Sequence, residues 1–291
     1  MVEKNLRIAF WGTSRFSVYV LDELVTRDIK PTLIITAPPK PKGRGLVLAP
    51  SDVKIWADKH QIPTLEPGEI RSDDFLKTLG PDWDLFIIAS YGKIVPRSVL
   101  DLPKHGTLNV HPSLLPKLRG ATPLQTAILE DLPAGAPHET GVTVMLIDEQ
   151  VDHGPIVASQ KVWIENWPPK ESELEKILGT LGGEVLGNTV PLWIHGNITP
   201  QEQNHHLATF TKKITKADAL VKLSDDPIQT FRKIRAFDVW PRTYFIAVRA
   251  GREIRVVITE AHLENNKLVI DRVIPEGRRE MPYTEFLKGQ K

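Results

Sequence analysis

The 291-residue sequence has no cysteine, which excludes disulfide bonds, thiolate metal sites and a cysteine nucleophile. No stretch reaches the roughly 18 consecutive apolar residues that a membrane-spanning helix needs. Residues 7–11 lead straight into a Gly-Thr turn, without the apolar region of a signal peptide. The histidines are scattered, so no metal site is expected. These absences favour a cytoplasmic protein.

The chain also lacks a large net charge, with 37 Lys and Arg against 36 Asp and Glu, but the charges are unevenly distributed. Residues 190–291 contain 17 basic and 12 acidic side chains, whereas residues 1–189 contain 20 basic and 24 acidic ones. A basic second half suits a polyanionic partner. Chance variation between two surfaces explains so small an excess equally well.

Apolar runs alternate with helical patterns in the first part of the chain. The strand-like runs cover residues 7–11, 31–36, 83–89 and 107–111, and the helical patterns fall at 16–24 and at about 51–59, 71–78, 96–101 and 121–130. This alternation predicts an α/β fold with a parallel sheet covered on both faces. Ligands bind such sheets at the carboxyl ends of the strands, where Gly12, Tyr91 and His111 are expected to lie.

The later part of the chain changes character. Two further strands (141–147 and 156–164) are joined by a turn from Asp148 to Pro155, and a helix is predicted from Glu171 to Leu186. After a further helix come short β-runs that predict a small open barrel; these elements lie at about 227–236, 243–249, 254–262 and 267–274. Because 291 residues exceed what one core usually supports, we predict two domains, 1–189 and 209–291, joined by a linker at 190–208.

Asn109 and His111 stand two residues apart at the end of the strand predicted at 107–111. Side chains alternate between the faces of a strand, so these two project to the same side. An amide can stabilise an oxyanion, an imidazole can move a proton, and a carboxylate such as Asp152 can orient the imidazole. The trio is equipped for acyl transfer without a serine or cysteine nucleophile. By itself, Asp152 is an ordinary turn residue beside Gly154.

The motif around these residues resembles a known family. Residues 109–116 read Asn-Val-His-Pro-Ser-Leu-Leu-Pro and are followed by Val-Asp-His-Gly at 151–154, a pattern similar to that of the 10-formyltetrahydrofolate-dependent formyltransferases. Arg-Gly-Ala-Thr-Pro at 119–123 resembles the branch that acts on methionyl-tRNA. His153 departs from the pattern, because relatives often have Thr or Gly there.

The resemblance extends over nearly the whole chain. Residues 12–16 are similar to the opening of the family, residues 236–241 to its Ala-Phe-Asn-Pro-Trp-Pro, and residues 275–281 to the closing element of its C-terminal domain. The implied fold is a Rossmann-like formyltransferase domain with a parallel-rich sheet, then a linker and an oligonucleotide-binding (OB)-like barrel that contacts tRNA. A monomer is expected.

The resemblance implies direct formyl transfer in which Asn109 and His111 stabilise the charge on the formyl oxygen, while Asp152 orients His111. The implied cosubstrate is 10-formyltetrahydrofolate, with no metal. The implied folate contacts are Ser113, Leu114, Leu115, Pro116, Tyr91, Gly92, Lys93, Ile94, Val95, Asp148 and Val151. For the apolar members of this set, plain core packing is about as good an explanation. Gly12-Thr13 lacks the full dinucleotide pattern, so a dinucleotide is not expected.

The stretch 38–45, Pro-Pro-Lys-Pro-Lys-Gly-Arg-Gly, is predicted to be an irregular loop because prolines and glycines disfavour regular structure. Its cations favour phosphate contact, and the resemblance implies initiator methionyl-tRNA as the partner. The implied tRNA contacts are Lys40, Lys42, Arg44, Lys212, Lys213 and Arg235, with Lys216, Arg232, Lys233, Arg278 and Arg279 as further candidates. Taken individually, each of those in the C-terminal domain reads as an ordinary surface charge.

Three other functions fit parts of the pattern. An amino-sugar nucleotide formyltransferase shares the Asn-His-Asp trio but needs no cationic loop. A folate deformylase would replace the amine by water and usually carries a different appended domain. A noncatalytic tRNA-binding module would explain the charge asymmetry but not the trio.

Overall fold

A computed structural model describes residues 6–42, 47–130, 132–133, 135–249 and 251–288. In chain order its first elements are β1 (Ile8–Gly12), α1 (Arg15–Thr26), β2 (Leu33–Ile35), β3 (Lys40–Lys42), β4 (Val47–Ala49), α2 (Asp52–Lys59), β5 (Thr64–Leu65), α3 (Asp73–Leu79), β6 (Leu85–Ala89), α4 (Arg97–Leu100) and β7 (Thr107–His111). Then come α5 (Pro123–Leu129), β8 (His138–Leu146), β9 (Ile156–Ile164), α6 (Glu171–Ile194), α7 (Pro227–Ala236), β10 (Tyr244–Arg249), β11 (Arg252–Glu264), β12 (Lys267–Pro275), β13 (Met281–Pro282) and α8 (Tyr283–Lys288).

The chain forms two compact units. The first contains residues 1–121, 140–162 and 175–210, and the second contains residues 122–139, 163–174 and 211–291. The units follow from which residues pack together and do not test which residues share a function. The predicted domains, 1–189 and 209–291 with a linker at 190–208, therefore stay a prediction. No helix among the described residues is both long and apolar enough to cross a membrane.

The central sheet has seven strands in the order β5-β2-β1-β6-β7-β8-β9. Pairing is parallel from β5 to β7, and β8 runs antiparallel to β7. Strands β1 and β6 are buried along their full length, which explains why they read as continuous apolar runs. The predicted Rossmann-like, mostly parallel sheet is therefore confirmed.

The second sheet is antiparallel, in the order β10-β11-β12-β13. Its core is built from side chains of the sheet and of α7 and α8, including Ile234, Phe245, Val256, Val273 and Phe286. The antiparallel sheet is consistent with the predicted small barrel.

Two expectations about local structure are wrong. The stretch predicted as irregular at 38–45 contains β3, which pairs with β4 so that Pro41 lies opposite Leu48. A two-stranded pair tolerates proline at an edge, where no neighbouring strand needs its missing N–H. The long helix predicted to end at Leu186 continues to Ile194 and occupies the start of the predicted linker. Its last turns are anchored, because Val190 is buried and the Trp193 indole N–H donates to the His105 carbonyl at 2.8 Å.

Candidate active site

The carboxyl ends of β1, β6 and β7 lie side by side. The pairing sets Gly12 beside Ala89, and Ile88 beside Asn109. The loops that follow are joined, because the Thr13 N–H donates to the Ser90 carbonyl at 3.1 Å and the Thr13 hydroxyl donates to the Tyr91 carbonyl at 3.0 Å. Three separate chain segments thus meet at one rim of the sheet, as the strand pattern predicted.

Asn109 and His111 occupy alternate positions on β7, with Asn109 opposite Met145 and His111 opposite Thr143 of β8. Asn109 is half-buried and His111 is buried. The Nε2 atom of His111 is 3.0 Å from the Leu118 carbonyl oxygen. A carbonyl oxygen only accepts, so Nε2 carries the proton in this contact.

Asp152 approaches the other nitrogen of His111. Its Oδ1 is 3.7 Å from His111 Nδ1, and its Oδ2 accepts the Gly120 N–H at 2.7 Å. Asp152 adopts a left-handed backbone conformation, with φ 48°. Two residues on, a Cβ at Gly154 would collide with the Leu146 carbonyl, which explains the glycine in this tight turn.

This geometry determines what the imidazole can do. A neutral imidazole holds one proton, and here the Leu118 carbonyl takes up the Nε2 proton. Nδ1 is then left with a lone pair that faces a carboxylate. A proton that arrives at Nδ1 gives an imidazolium beside Asp152, where the opposite charge stabilises it. The pair is therefore suited to accepting a proton.

The loop after His111 is held by its own hydrogen bonds. The Ser113 hydroxyl donates to the Lys117 carbonyl at 2.7 Å, and the Leu115 N–H donates to the Thr143 hydroxyl at 3.1 Å. Ser113 and Leu115 are buried, whereas Leu114 and Pro116 are half-buried. Folate contact by these four residues stays a prediction.

The second segment predicted to contact folate, residues 91–95, divides into buried and exposed side chains. Tyr91 is only 3% exposed and its ring meets that of Trp11 edge-on, with centroids 5.3 Å apart. Burial raises the pKa of Tyr91 to about 12. Val95 is also buried, but Ile94 is 76% exposed at the surface. The Lys93 ammonium donates to the carbonyls of Pro67 and Gly68 at 2.9 and 3.0 Å.

Asp148 and Val151 lie in the turn that carries Asp152. The His153 Nδ1 atom is 2.6 Å from Asp148 Oδ2, and the Gln150 N–H donates to Asp148 Oδ1 at 2.9 Å. Val151 is exposed. Asp148 therefore shapes the turn, and its contact with folate stays a prediction.

The cations predicted to bind tRNA differ in their surroundings. Lys40 is exposed on β3, Lys42 lies in the same strand, and Arg44 falls outside the described residues. Lys212 and Lys213 are exposed in the second unit. Arg235 is engaged locally, because it donates to the Pro168 carbonyl at 3.1 Å and to Glu173 at 3.3 Å.

One of the further candidates was wrong. Arg232 is 1% exposed and donates to the Leu132 carbonyl, so it has no surface from which to reach a phosphate. Helix α7 is amphipathic and residue 232 falls on its buried face, a position that the charge of the residue does not reveal. Lys216, Arg278 and Arg279 are exposed, and Lys233 is half-buried.

The sequence interpretation missed three residues beside the catalytic candidates. Gln203 donates to the Asp152 carbonyl at 3.0 Å and accepts from Arg119 at 2.6 Å. Arg119 also lies 2.9 Å from His205 Nδ1, and the His205 ring stacks on His153 with centroids 4.0 Å apart. Arg119 and Gln203 are 84 residues apart in the sequence, and no local pattern marks Gln203.

Within the described part of the chain, no group of three or more His, Cys, Asp or Glu side chains is arranged to hold a metal ion. The site thus consists of an amide, an imidazole and a carboxylate at the edge of a parallel sheet. Comparison with known proteins gives this arrangement a family.

A family model described as formyl transferase matches residues 6–190. The chain belongs to the formyl transferase family. A methionyl-tRNA formyltransferase of Geobacter sulfurreducens is 32% identical over 98% of the chain and 94% of that protein. The similarity therefore includes the second sheet as well as the domain that bears the site.

Solved structures share the fold. A methionyl-tRNA formyltransferase from Clostridium thermocellum is similar with a TM-score of 0.60 and 14% identity, over 93% of this chain and 99% of that one. An N-formyltransferase from Helicobacter canadensis, in complex with folinic acid and dTDP-3-aminofucose, gives 0.60 and 17%, over 91% and 95%. At these identities the structures support the fold alone.

Proposed function

We propose that the protein transfers the formyl group of 10-formyltetrahydrofolate to the α-amine of initiator methionyl-tRNA, giving N-formylmethionyl-tRNA. The observation that carries this proposal is the full-length similarity to a methionyl-tRNA formyltransferase in a chain that places Asn109, His111 and Asp152 at one rim. An amino-sugar nucleotide formyltransferase is the alternative. It has less support, because the relative that is 32% identical over nearly the whole chain is a methionyl-tRNA formyltransferase, whereas the structure in complex with dTDP-3-aminofucose is 17% identical and supports the fold alone.

In the proposed reaction, the neutral amine attacks the formyl carbon and a new C–N bond forms. Charge grows on the formyl oxygen, and the Asn109 amide donates a hydrogen bond to it. The ammonium proton leaves to His111 Nδ1, directly or through water, and Asp152 stabilises the imidazolium. The bond from the formyl carbon to N10 then breaks, and N10 takes up a proton as tetrahydrofolate leaves.

The flat pterin suits an apolar slot with backbone polar groups at its edge. We place it between residues 113–116 and the loop at 91–95, with the turn at 148–151 closing the other side. The apolar side chains of these segments that are not buried in the core, and so are available for such contact, are Leu114, Pro116, Ile94 and Val151.

We place the tRNA against Lys40, Lys42 and Arg44 and against the C-terminal sheet, which we propose to be an OB-like barrel. The exposed Lys212 and Lys213 would contact its phosphates. Arg235 would contribute less, because its guanidinium already has two partners. A reaction on charged tRNA takes place where translation occurs, so we propose that the protein is cytoplasmic, and we keep the expectation of a monomer.

The test is formylation by the purified protein with 10-formyltetrahydrofolate and either methionyl initiator tRNA or an amino-sugar nucleotide. We expect product with the tRNA only. Asn109→Ala, His111→Ala and Asp152→Ala should each lower kcat at least ~10²-fold, the typical loss for a group that acts in the transition state. Asp74→Ala is the control, because this carboxylate is 96% exposed on α3.

Formylation of the sugar nucleotide and not of the tRNA would contradict the proposed acceptor. A trio variant with wild-type kcat would contradict the role of that residue.

A further inference from the structure

The side chain of Gln203 uses its full hydrogen-bonding capacity next to Asp152. Its oxygen accepts from Arg119 Nε at 3.2 Å and from the terminal Arg119 nitrogen at 2.6 Å. Its nitrogen donates to the carbonyls of Asp152 at 3.0 Å and Gly154 at 2.7 Å. An arginine only donates and a carbonyl only accepts, so the amide has one possible orientation here. A residue of the same shape without N–H groups cannot make both sets of bonds.

Arg119 is buried in an unusual way for a charged residue. It is 3% exposed, and its hydrogen-bond partners among the described residues are the neutral groups Gln203 Oε1 and His205 Nδ1. Burying a charge is costly when no opposite charge compensates it. A contribution to folding stability therefore explains this arginine poorly. Its two hydrogen bonds to Gln203 Oε1, which fix the position of that side chain, explain it better.

The segment that carries Arg119 touches both catalytic candidates. The Leu118 carbonyl accepts from His111 Nε2, and the Gly120 N–H donates to Asp152 Oδ2. The same segment is tied to the chain beyond Gln203, because the Arg119 N–H donates to the Thr209 carbonyl at 2.9 Å. One guanidinium thus connects the segment that holds His111 with the residue that holds the turn of Asp152.

The turn is held from outside. Asp152 has a φ of 48°, a left-handed backbone conformation that is uncommon for residues other than glycine, although aspartate tolerates it better than most. The carbonyls of Asp152 and Gly154 both point at the Gln203 amide, so releasing that amide frees the turn to relax. Relaxation would alter the 3.7 Å separation of Asp152 from His111.

We infer that Arg119 and Gln203 are positioning residues that act as one unit to hold Asp152 against His111. This role rests on the proposed formyl transfer, in which Asp152 stabilises the imidazolium. Gln203 acts through the backbone carbonyls of the turn, and Arg119 acts through Gln203. Displacing a catalytic group by about 1 Å can cost ~10²-fold in rate.

The test compares Gln203→Glu and Gln203→Ala with the wild-type protein, and the control is Gln160→Ala at an exposed position on β9. Glutamate keeps an acceptor, and adds a charge, for Arg119 but donates nothing to the two carbonyls. We expect both Gln203 variants to lose about 10- to 100-fold in kcat, with KM for folate and for tRNA changed less than about 3-fold. Gln160→Ala should match the wild type.

Arg119→Lys and the double variant Arg119→Lys/Gln203→Ala test whether the two residues act as one unit. If they do, the double variant loses no more than Gln203→Ala alone, because removing either partner releases the same turn. Losses that multiply would overturn the single unit.

The division of the loss between kcat and KM separates positioning from a change in substrate binding. A residue that positions a catalytic group acts on the turnover step, so the loss should lie in kcat and not in KM. Wild-type kcat in Gln203→Glu, or a loss that appears mainly in KM, would overturn the inference.

Failure of the proposed function is distinguishable from failure of this inference. A wild-type protein that formylates no tRNA contradicts the function, whatever the variants do. Crystal structures of the wild-type protein and of Gln203→Glu then test the positioning directly. We expect a longer Asp152–His111 separation in the variant, and an unchanged separation would contradict the role.

Discussion

The position of one proton on His111 changes the role that the residue can take. The family resemblance suggested that His111 would help Asn109 to stabilise the formyl oxygen. Nε2 is instead occupied by the Leu118 carbonyl, and Nδ1 faces Asp152. This favours a division of labour in which Asn109 meets the oxygen and His111 takes the proton.

Tyr91 is a residue whose side chain the fold buries without a polar partner. Its hydroxyl has no hydrogen bond among the described residues. Leaving a buried hydroxyl unpaired costs about 1–3 kcal/mol, so Tyr91→Phe should leave the free energy of unfolding unchanged or raise it by up to about 1 kcal/mol. Urea denaturation at neutral pH measures this, and kcat should be unchanged. A loss of kcat would mean that the hydroxyl serves the reaction.

The same residue predicts a pH dependence. Burial raises the pKa of Tyr91 from 10.0 to about 12, so the folded state disfavours its phenolate. The stability conferred by the neutral form is fully present below pH 10 and is lost as the pH rises from 10 through about 12. Wild-type stability should fall more steeply than that of Tyr91→Phe across this range. Parallel curves would contradict the burial of the hydroxyl.

Site residues can be predicted from the sequence when they lie close together along the chain, and they are missed when they lie far apart. Asn109 and His111 are two residues apart on one strand, so the alternation of side chains alone placed them on one face. The Arg119–Gln203 contact joins positions 84 residues apart. Gln203 also donates to main-chain carbonyls, which every residue type has and which therefore leave no signal in the sequence. Only the folded chain reveals that pair.

At the scale of elements, the glycines of α6 form the face of the helix that packs against α1 and β7. Gly179, Gly182 and Gly183 are buried, and a Cβ at each would press on a neighbouring side chain or on the backbone. Glycine inside a helix costs up to about 1 kcal/mol relative to alanine. The close approach of α6 to α1 offsets that cost and explains why the helical pattern survives its glycines.

Two positions on this helix give a matched pair of variants. At Gly183, a Cβ would lie 2.8 Å from the Val20 carbonyl oxygen, which belongs to the backbone of α1 and cannot move alone. Overpacking of this kind typically costs about 1–3 kcal/mol, which exceeds the gain in helix propensity of up to about 1 kcal/mol. Gly183→Ala should therefore lower the free energy of unfolding by roughly 1–2 kcal/mol.

At Gly187, by contrast, the Cβ would meet the aliphatic part of the Arg27 side chain. This side chain can shift, but its ion pairs with Glu23 and Glu184 are then loosened. Part-exposed pairs are worth about 0–1 kcal/mol, which offsets the propensity gain of up to about 1 kcal/mol, so Gly187→Ala should leave the free energy of unfolding within about 1 kcal/mol of the wild-type value. Thermal and urea denaturation of the two variants give the comparison. Equal stability in both would show that α1 yields to Gly183→Ala as easily as Arg27 yields to Gly187→Ala.

The elements predicted from the sequence are those with strong periodicity. The strands predicted at 107–111 and 156–164 coincide with β7 and β9, and the helix predicted at 227–236 coincides with α7. Short elements were missed: β3, β4, β5 and β13 have two or three residues each and α8 has six, too few for a period to show clearly. The existence of these short strands depends on a neighbouring strand, which the local sequence does not specify.

At the scale of the whole molecule, the uneven charge distribution is the feature with a consequence for tRNA. Residues 190–291 carry 17 basic against 12 acidic side chains, but the structure divides the basic ones into two classes. Arg232 and Arg235 have partners within the fold, whereas Lys212 and Lys213 project from the surface. The small excess of basic side chains does not by itself show that this part of the chain contacts tRNA. Substituting the exposed Lys212 and Lys213 tests that contact.

We predict that Lys212→Ala/Lys213→Ala weakens tRNA binding and leaves folate binding intact. Affinity falls as the salt concentration rises, and each cation that neutralises a phosphate adds about 0.7–0.9 to the steepness of log affinity against log salt. Removing two such cations should therefore make this dependence shallower by about 1.5. Filter binding of methionyl initiator tRNA between about 50 and 200 mM salt measures the slope, and KM for 10-formyltetrahydrofolate should stay constant. The matched control is Lys59→Ala/Lys77→Ala, which removes the same charge from exposed positions on α2 and α3. If both double variants lowered the slope equally, the effect would come from net charge, and the basic half of the chain would have no special contact with tRNA.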